Sequence, residues 1–490
     1  MKGRAVAFLA VSLLLTTACG ARLTEEQWDL VLSGQTSGAE GGTGTLGTTV
    51  QGGGTGQPGT AGTEDQTVTT GGGGGGTTTG TTGTTGSGGG GGKGGKGGKG
   101  GGGGGSKGGQ CSPQGSSDTG VTPNSITISN VADISGIQPG LFQSSQDAIK
   151  ALVAYENSTG GVCGRNLQGI YLDTKQDVAG NRAATLEACQ KSFAIVGSMS
   201  AFDHGGASSG QQCGIPEIPA ITTSLQKVQA STVYPAYPNR PDYFISAEGN
   251  YIKEKFPQVI SKAAIIWLAA DVPRAAAASR EKGLRASGFN FVYRQEVQPV
   301  EPNYAPYVFD MQRLGVQYVT MIGNFQSIAR LLDAMRQQQW SPTVKDFDSV
   351  VYDPDFLTDA GPAADGSLFF INTAMFEEAG GNQEMQLYTQ WLSRTVPGAK
   401  PDYFGLYAWS AGRLFVQLME GLGPAPTRQA LLGELGKLHA WGGNGMHAEH
   451  DIGAKISSPC LLYGTIGGGK FTRRDPASGW MCDKGPVIKV

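Results

Sequence analysis

Between Val121 and Ala220 the sequence alternates short apolar runs with longer amphipathic segments. The runs Ile126–Ile134, Leu167–Leu172 and Ala194–Gly197 have the length of strands, and Gly, Asn or Asp residues separate them from the segments that follow. Strands that alternate with helices predict parallel βαβ units and a doubly wound sheet. The fold must therefore be of the α/β class, with helices that cover the faces of a sheet.

A second series of the same kind starts at Ala263–Leu268, which reads AAIIWL. Its further elements alternate between helix and strand, and they are predicted at Ala275–Ala286, Phe289–Tyr293, Val308–Leu314, Tyr318–Ile322, Ile328–Gln338 and Ser349–Tyr352. Beyond Phe370, amphipathic periodicity predicts the helices Glu384–Arg394 and Tyr403–Glu420. The two series predict two α/β lobes with a cleft between them, and Tyr243–Ser246 is interpreted as the first crossing.

Two neighbouring strands of the first series end in small polar residues. One leads into Ser198 and Ser200, and the next leads into Thr222 and Thr223. Ligands of open α/β sheets bind outside the carboxyl ends of the strands, so we expect these hydroxyls to line a pocket for a small polar molecule. The alternative is that the same residues only cap helices.

The segment from about Gly34 to Gln110 has a composition that cannot form a packed core. It consists almost entirely of Gly, Thr and Ser, with four lysines spaced through a glycine tract. So little apolar surface does not offset the entropy lost on ordering a backbone, and a disordered linker is assigned to residues 19–110. The rest of the 490-residue chain is long enough for two domains, and its net charge of −3 gives no reason to expect a nucleic acid partner.

The first residues of the chain predict export. Lys2 and Arg4 precede the apolar run Ala5–Leu15, which is too short to span a bilayer, and small residues then lead into Cys19. The segment that ends at Cys19 resembles a bacterial lipobox. This resemblance implies a signal peptide at residues 1–18, a lipid on Cys19 and attachment to the outer face of the cell membrane. The alternative is an ordinary signal peptide that is cleaved at the same place and leaves a free thiol.

The chain contains seven cysteines, and an odd number in an exported protein needs an explanation. Lipidation of Cys19 leaves six, which can form three disulfides in an oxidising compartment and can be paired in 15 ways. Position favours Cys189–Cys213, because both residues would end helices just before neighbouring parallel strands. It also favours Cys460–Cys482, which would close a C-terminal hairpin, and this leaves Cys111–Cys163. None of the six has the spacing of metal ligands.

Five short motifs follow one another through the folded part of the sequence. They are Gly120-Val121-Thr122, Ile134-Ser135-Gly136, the segment TGGVCGR from Thr159 to Arg165, Ala194-Ile195-Val196-Gly197 and Gly214-Ile215-Pro216. In this order and spacing they make residues 120–480 resemble the branched-chain amino-acid-binding type of substrate-binding protein, which has the type I periplasmic binding fold. The resemblance implies a receptor that captures a small solute between two hinged lobes and delivers it to an ABC permease in the membrane.

The same resemblance implies that each lobe takes residues from two parts of the chain. The first lobe is expected to comprise residues 111–245 and about 373–446, and the second about 246–372 and 447–490. The expected fold is therefore two doubly wound parallel-sheet lobes joined by a multi-segment hinge. A monomer without a cofactor or metal is expected.

The resemblance also assigns residues to the pocket. Hydroxyl and backbone N–H groups of two loops are expected to hold a carboxylate of the solute, and such groups stabilise an anion without a buried cation. The expected pocket residues are Ser198, Ser200, Ala201, Thr222 and Thr223 for the carboxylate, Leu141 and Phe142 as a cover, and Phe325, Ser349 and Tyr352 from the second lobe.

Two departures from the family pattern leave the solute open. Amino-acid binders usually present an acid to the ammonium group from the segment Phe347–Asp353, but Ser349 stands at that position. An unpaired buried ammonium is costly, so either Asp348 or Asp353 substitutes or the solute has no ammonium group. Arg274 either contacts a second anionic group or is an exposed residue at a helix start. The solute is expected to be an amino acid, an amide or a carboxylate.

Three other motifs do not predict an enzyme or a metal centre. The G-x-S-x-G pattern around Ser208 begins several residues after its strand has ended, whereas a nucleophile elbow follows its strand directly. The near-match to a P-loop at Gly464–Phe471 has phenylalanine in place of the Ser or Thr that holds magnesium, and it predicts a hairpin turn. Glycines around His447 and His450 favour a loop or hinge. No enzymatic activity is expected, and the alternative to transport is a ligand-sensing domain that signals to a membrane partner.

Overall fold

The computed structural model describes residues 113–490, and the predicted signal peptide, Cys19 and the linker lie outside the described residues. Predictions about that part of the chain therefore stay predictions. Among residues 113–490, no helix combines the length and the apolar character needed to cross a membrane.

The first series of elements forms a four-stranded parallel sheet. Its strands are β1 (Ser125–Ala132), β2 (Asn166–Asp173), β3 (Ala194–Val196) and β4 (Glu217–Ile218), in the order β2-β1-β3-β4. The helices that follow them are α1 (Gln143–Ser158), α2 (Val178–Lys191), α3 (His204–Cys213) and α4 (Leu225–Gln229). All three residues of β3 are buried, as a strand covered on both faces requires. The predicted alternation is confirmed.

The second series forms a larger sheet. After β5 (Tyr243–Ile245) and α5 (Ser246–Lys255), seven strands pair in the order β12-β11-β10-β9-β8-β6-β7. They are β6 (Ala263–Leu268), β7 (Phe291–Val297), β8 (Tyr318–Ile322), β9 (Val344–Phe347), β10 (Leu368–Ile371), β11 (Leu462–Gly467) and β12 (Lys470–Asp475). The helices between them are α6 (Asp271–Ala286), α7 (Ala305–Arg313), α8 (Phe325–Gln337) and α9 (Pro354–Ala360). Strands β6 to β10 pair in parallel, whereas β11 and β12 are antiparallel.

Three helices between β10 and β11 pack back onto the first sheet. They are α10 (Gln383–Thr395), α11 (Tyr403–Leu422) and α12 (Arg428–Leu435). Helix α11 lies close to α1, since a Cβ atom at Gly412 would stand 2.2 Å from Leu152 Cδ2. Arg413 of α11 also forms an ion pair with Glu156 of α1. The chain therefore returns to the first sheet after it has built most of the second.

Three chain segments connect the two sheets. The first covers residues 237–243, the second begins at Asn372 and the third begins at Met446. The second and third run side by side, because the Ala374 N–H donates to the Met446 carbonyl (2.8 Å) and the Ala448 N–H donates to the Asn372 carbonyl (2.8 Å). The last strand, β13 (Val487–Lys489), returns to pair with β5. These segments form the predicted multi-segment hinge.

The apolar core follows the alternation of side chains along the strands. In β6, Ile266 faces a cluster that also contains Val196 of β3 and Leu406 of α11. Ile265 and Trp267 face a second cluster on the other side of the larger sheet. Residues that alternate along one strand thus bury both of its faces, which explains why AAIIWL is apolar throughout.

Two of the predicted disulfides are confirmed. Cys189–Cys213 links the ends of α2 and α3 across a Cα–Cα distance of 6.1 Å, and Cys460–Cys482 joins segments with a Cα–Cα distance of 4.2 Å. Cys111 lies outside the described residues, so Cys111–Cys163 stays a prediction. The predicted hairpin turn is also confirmed, because Gly467 and Lys470 are paired at the ends of β11 and β12.

The predicted strand at Ser349–Tyr352 is wrong. The strand of this region is β9, which ends two residues earlier, and a 3₁₀ turn follows it. The Asp348 carboxylate accepts a hydrogen bond from the Val350 N–H (3.0 Å) and so caps this turn. The strand was missed because it contains charged residues, and Lys345 is buried only because its ammonium donates to two backbone carbonyls, at 3.2 and 2.7 Å.

Candidate functional site

A cavity of about 260 Å³ lies between the two sheets and beside the three connecting segments. Its wall is mainly aromatic and aliphatic, with a few convergent polar groups, as is typical of small-molecule sites. Residues that represent its three sides are Thr223 and Tyr403 from the first-sheet side, Tyr237 and Asn372 from the connecting segments, and Arg280 and Asp348 from the second-sheet side.

The loops after β3 and β4 meet at the carboxyl edge of the first sheet, where they were expected. The Thr223 hydroxyl donates to the Ser200 carbonyl (2.9 Å). However, the Ser200 hydroxyl and the Ala201 N–H donate to the carboxylate of Asp133 (2.7 and 2.8 Å). The Thr223 N–H likewise donates to Asp203 Oδ2 (2.7 Å). Groups expected to hold a carboxylate of the solute therefore hold two carboxylates of this chain.

The other two residues assigned to the solute carboxylate are also bonded within the chain. The Ser198 hydroxyl donates to Glu217 Oε1 (2.7 Å), and Lys227 pairs with the other oxygen of the same carboxylate (2.6 Å). The Thr222 hydroxyl donates to the Asn239 carbonyl (2.9 Å). Of the five residues in this group, Thr223 is the one that lines the cavity.

The predicted aromatic cover lies behind the cavity wall. Phe142 is buried and packs edge to face against Phe404, with ring centroids 5.0 Å apart, and Phe404 itself lines the cavity. Leu141 is partly buried against the same core. Phe325 packs at right angles to Phe356, with centroids 6.5 Å apart, at the start of α8. Phe142 therefore supports the wall through Phe404, whereas Leu141 and Phe325 do not line the cavity.

Two further predicted residues have partners away from the cavity. Arg274 binds the carboxylate of Glu296 through two nitrogens (2.9 and 3.1 Å) and also pairs with Asp271 (3.2 Å). Tyr352 is buried, and its hydroxyl donates to Glu377 Oε2 (2.6 Å). Arg274, at the start of α6, is therefore paired with Asp271 of the same helix and with Glu296 of β7.

The segment after β9 places one acid on the cavity. Ser349 and Asp348 both line it. Asp353 does not, because it caps α9 and accepts a hydrogen bond from the Asp355 N–H (2.7 Å). Burial raises the pKa of the Asp348 carboxyl, and the nearby Arg280 guanidinium acts in the opposite direction. Asp348 is thus the acid available to a solute in this segment.

A buried cluster of charges forms the second-sheet side of the wall. Arg280 Nε lies 2.8 Å from Glu248 Oε1, and its Nη2 lies 3.3 Å from Asp346 Oδ2. The Tyr318 hydroxyl donates to the same Asp346 oxygen (2.8 Å). Burial raises the pKa of both carboxyls, and Arg280 counteracts this effect. One guanidinium therefore serves two carboxylates.

The second arginine of the wall is paired as well. Arg240 binds Asp242 through two nitrogens, at 2.9 and 2.8 Å, in the bidentate geometry that suits a guanidinium and a carboxylate. Its guanidinium lies 4.6 Å from the centre of the Tyr243 ring. Both cations on the wall are thus occupied.

The connecting segments carry two buried histidines. His450 Nδ1 accepts from the Ser458 N–H (2.8 Å), and its Nε2 lies 3.0 Å from the Tyr407 hydroxyl, which donates to Asn372 (2.8 Å). Burial lowers the pKa of both His447 and His450, so the rings are neutral. Among residues 113–490, no group of three or more His, Cys, Asp or Glu is placed to hold a metal ion. His447 and His450 therefore lie in the hinge, in agreement with the predicted loop or hinge.

A glutamine joins the two halves of the molecule away from the hinge. Gln138, in the loop after β1, donates to Gln326 Oε1 (2.7 Å) and accepts from Asn324 Nδ2 (2.9 Å). Both partners, Asn324 and Gln326, lie at the start of α8, which belongs to the half of the molecule built around the second sheet. The structure therefore has its halves bonded together across the cleft.

Sequence reasoning missed the charged residues of the wall, although a signal was present. Arg280 has Ala277 and Leu284 at the i−3 and i+4 positions of its helix, and both are fully buried. Glu248 has Ile252 at i+4, which is also fully buried. Residues at these spacings share one face of a helix, so the pattern placed both charges on buried faces.

Comparison with known proteins supports the fold. Residues 125–456 match the sequence profile of a family described as periplasmic binding protein. A search of curated protein sequences gave no match.

Solved structures of similar fold come from several bacteria. A branched-chain amino acid ABC transporter protein from Thermus thermophilus with bound valine has a TM-score of 0.64 and 16% identity, and the match covers 76% of this chain and 98% of that one. A fatty acid ABC transporter substrate-binding protein from Thermomonospora curvata has a TM-score of 0.64 and 15% identity, with 76% and 95% covered. The branched-chain amino acid transporter substrate-binding protein of Streptococcus pneumoniae in complex with isoleucine gives 0.61 and 14%, with 72% and 100% covered. At these identities the likeness shows the fold.

Proposed function

Because the chain belongs to the periplasmic binding protein family, we propose that it is an extracytoplasmic receptor that captures a small polar solute and delivers it to an ABC permease. Members of this family are binding proteins rather than enzymes. The observation that carries the proposal is the cavity of about 260 Å³ between the two sheets. Its wall takes residues from both sheets and from the connecting segments, so a bound solute contacts every part that moves when the halves open.

Capture follows from these contacts. In an open form a solute touches one side of the cavity, and in the closed form it touches both. A ligand drives closure only through contacts that are better in the closed state. Asp348 and Ser349 on one side, and Thr223 and Tyr403 on the other, supply such contacts.

The solved structures of similar fold support a small organic solute. Two of them hold valine or isoleucine, and a third is described as a fatty acid transporter protein. The bonding of Ser200, Ala201 and Thr223 to aspartates of the chain argues against the carboxylate contacts that the amino-acid binders suggested.

Attachment to the membrane is part of the proposal. A Gly/Ser-type chain of about 75 residues is predicted to have a root-mean-square span near 50 Å, so a lipid on Cys19 followed by such a linker would keep the binding part concentrated close to a permease. The disulfides Cys189–Cys213 and Cys460–Cys482 support an oxidising compartment outside the cytoplasm. Metabolic labelling with a fatty acid, compared between the natural chain and Cys19→Ala, tests the anchor.

A pair of tryptophan variants tests the cavity as the site of capture. Ala276 lines the cavity, and Ala275, its neighbour on α6, is exposed and off the wall. A cell without the protein is complemented with the natural chain, Ala276→Trp or Ala275→Trp, and uptake of labelled amino acids, amides and amines is measured. We expect one labelled solute to enter with the natural chain and Ala275→Trp, and to stay outside with Ala276→Trp.

Two results would contradict the proposal. Uptake that does not change on deletion of the protein would exclude transport, and a lost transcriptional response to a solute would then favour the sensing function. Equal uptake with both tryptophan variants would place capture elsewhere on the molecule.

A further inference from the structure

We propose that the solute is an organic cation, an amine with a compact apolar or aromatic body and no carboxylate group. The inference rests on the proposed function, because it names the class of solute taken by the same cavity. Its basis is the set of charged and hydrogen-bonding groups on the wall and the partners that each of them already has within the chain.

The first-sheet loops have their expected carboxylate donors already bonded, which leaves the amide of Asn372 as the unpartnered buried donor that we find on the wall. In the first-sheet loops, the Ser200 hydroxyl and the Ala201 N–H donate to Asp133, and the Thr223 N–H donates to Asp203. A further anion at this edge would find its donors taken and two negative side chains beside them. Like charges at close range disfavour binding at such a site.

The cations of the wall are also committed. Arg240 is bound by Asp242 through two hydrogen bonds, at 2.9 and 2.8 Å. Arg280 is held between Glu248 (2.8 Å) and Asp346 (3.3 Å), and all three of these side chains are 6% exposed or less. An anion that approaches either arginine must therefore compete with an acid that is already paired with it.

Asp348 is the acid of the wall without an ion pair among the described residues, because the nearby Arg280 is paired with Glu248 and Asp346. Its carboxylate accepts one hydrogen bond, from the Val350 N–H. It lines the cavity together with Glu248, which already shares Arg280 with another acid. With the partners behind the wall included, Arg240 and Arg280 face four carboxyl groups, those of Asp242, Glu248, Asp346 and Asp348. Acids therefore outnumber cations, and an ammonium group complements them.

The rest of the wall suits the body of such a solute. Tyr237, Phe244, Phe370, Tyr403 and Phe404 all line the cavity. Aromatic faces bury apolar surface, and their negative faces attract a cation placed within about 6 Å of the ring centre. A small amine with an aliphatic or aromatic group satisfies both parts of the wall.

A zwitterionic amino acid fits this wall less well. Its ammonium group would bind Asp348, but its carboxylate would have to lie among committed donors and other acids. Burial of a charge without a partner costs several kcal/mol, so removal of the carboxylate should improve binding. This distinguishes the inference from binding of leucine or valine.

Four probes with the same carbon body test the inference. They are 3-methylbutylamine, leucine, 4-methylpentanamide and 4-methylpentanoate, which differ in charge, and each is titrated calorimetrically into the purified full chain. We expect the amine to bind at least about 10-fold more tightly than leucine or the acid, with the neutral amide between them. The phenyl series headed by 2-phenylethylamine repeats the comparison with an aromatic body.

Two asparagine variants make the test specific. Asp348→Asn keeps the cap of the 3₁₀ turn and removes the charge, and it should weaken binding of the amine about 10- to 100-fold. Asp353→Asn makes the same exchange at an aspartate that caps α9 away from the cavity, and it should leave binding unchanged. Melting temperatures show whether both variants are folded.

Each outcome decides the inference. Tighter binding of the amine that depends on Asp348 supports it. Preferred binding of leucine or of the acid overturns it and leaves the receptor function standing. Binding of the amine that is equal in both asparagine variants also overturns it. If none of the probes binds, the inference fails, and the uptake of solutes with Ala276→Trp decides separately about the receptor function.

Discussion

Replacement of Gln138 by alanine should shift the molecule toward an open form. The side chain donates to Gln326 (2.7 Å) and accepts from Asn324 (2.9 Å), and both bonds join the first-sheet half to the second. The loop itself does not depend on this side chain, because the Gln138 backbone N–H donates to Gln176 Oε1 (2.9 Å). The variant therefore tests closure without unfolding the loop.

The expected size of the effect follows from the two hydrogen bonds. A neutral hydrogen bond contributes a net 0.5–1.5 kcal/mol or so, because water replaces it when the halves separate. These two bonds are partly buried, so their loss should cost about 1–2 kcal/mol, which lowers the closed-to-open ratio about 5- to 30-fold. Affinity for 3-methylbutylamine should fall by up to the same factor, because the apparent affinity scales with the fraction of closed molecules.

Hydrogen–deuterium exchange is the direct assay. Residues 135–142 and 323–328 should exchange faster in Gln138→Ala, and calorimetry should show the weaker binding. Gln143→Ala is the matched control, because Gln143 donates to Asp147 (2.9 Å) within α1 and joins no second half. If the two variants exchange and bind alike, the glutamine contacts do not hold the halves together and the reasoning is refuted.

Three further predictions concern stability. Arg280→Met leaves Glu248 and Asp346 buried without their cation, so the free energy of unfolding in urea should fall by about 3–5 kcal/mol. Arg336→Met, at an exposed pair with Asp333, should cost less than about 1 kcal/mol, and equal losses would contradict the reasoning. Burial lowers the pKa of His447 from 6.5 to about 4, so between these pH values the unfolded chain binds more protons than the folded chain. The free energy of unfolding should therefore fall by about 3 kcal/mol as the pH drops from 6.5 to 4. His447→Gln should flatten this pH dependence, and an unchanged slope would be evidence against the reasoning. Joint replacement of the Cys189–Cys213 pair by alanine should cost about 3 kcal/mol in chemical denaturation, since the bridge closes a loop of 24 residues; no loss under oxidising conditions would argue against a stabilising role.

The elements most accurately predicted from sequence were those buried on both faces. The strands Ala263–Leu268 and Tyr318–Ile322 have the predicted bounds, because continuous apolar runs between polar residues leave little freedom in where a strand begins. Strand β9 was missed, because Lys345 and Asp346 make it look like a loop. Their partners, the carbonyls of Ala363 and Asp365 and the side chains of Arg280 and Tyr318, come from distant parts of the chain.

The site was predicted in outline and missed in detail for a similar reason. Sequence placed Ser200 and Thr223 at one sheet edge, and the structure brings them together. It did not show that Asp133 would take the Ser200 hydroxyl, because the two residues are 67 positions apart. Which acid satisfies which hydroxyl is decided by tertiary packing, and no local pattern records it.

The position of the cavity beside the connecting segments gives the molecule the mechanics of a lever. The hydroxyls of Tyr403 and Tyr407 donate to Asn372 in the hinge and fix its position. The rims of the cleft, which carry Gln138 and Gln326, lie away from the hinge. A solute that is slightly too wide leaves the two halves open by a small angle at the hinge, and the same angle separates the rims by a longer distance. The separation of the rims is therefore a magnified measure of solute size, and a partner that bound both rims would respond to it.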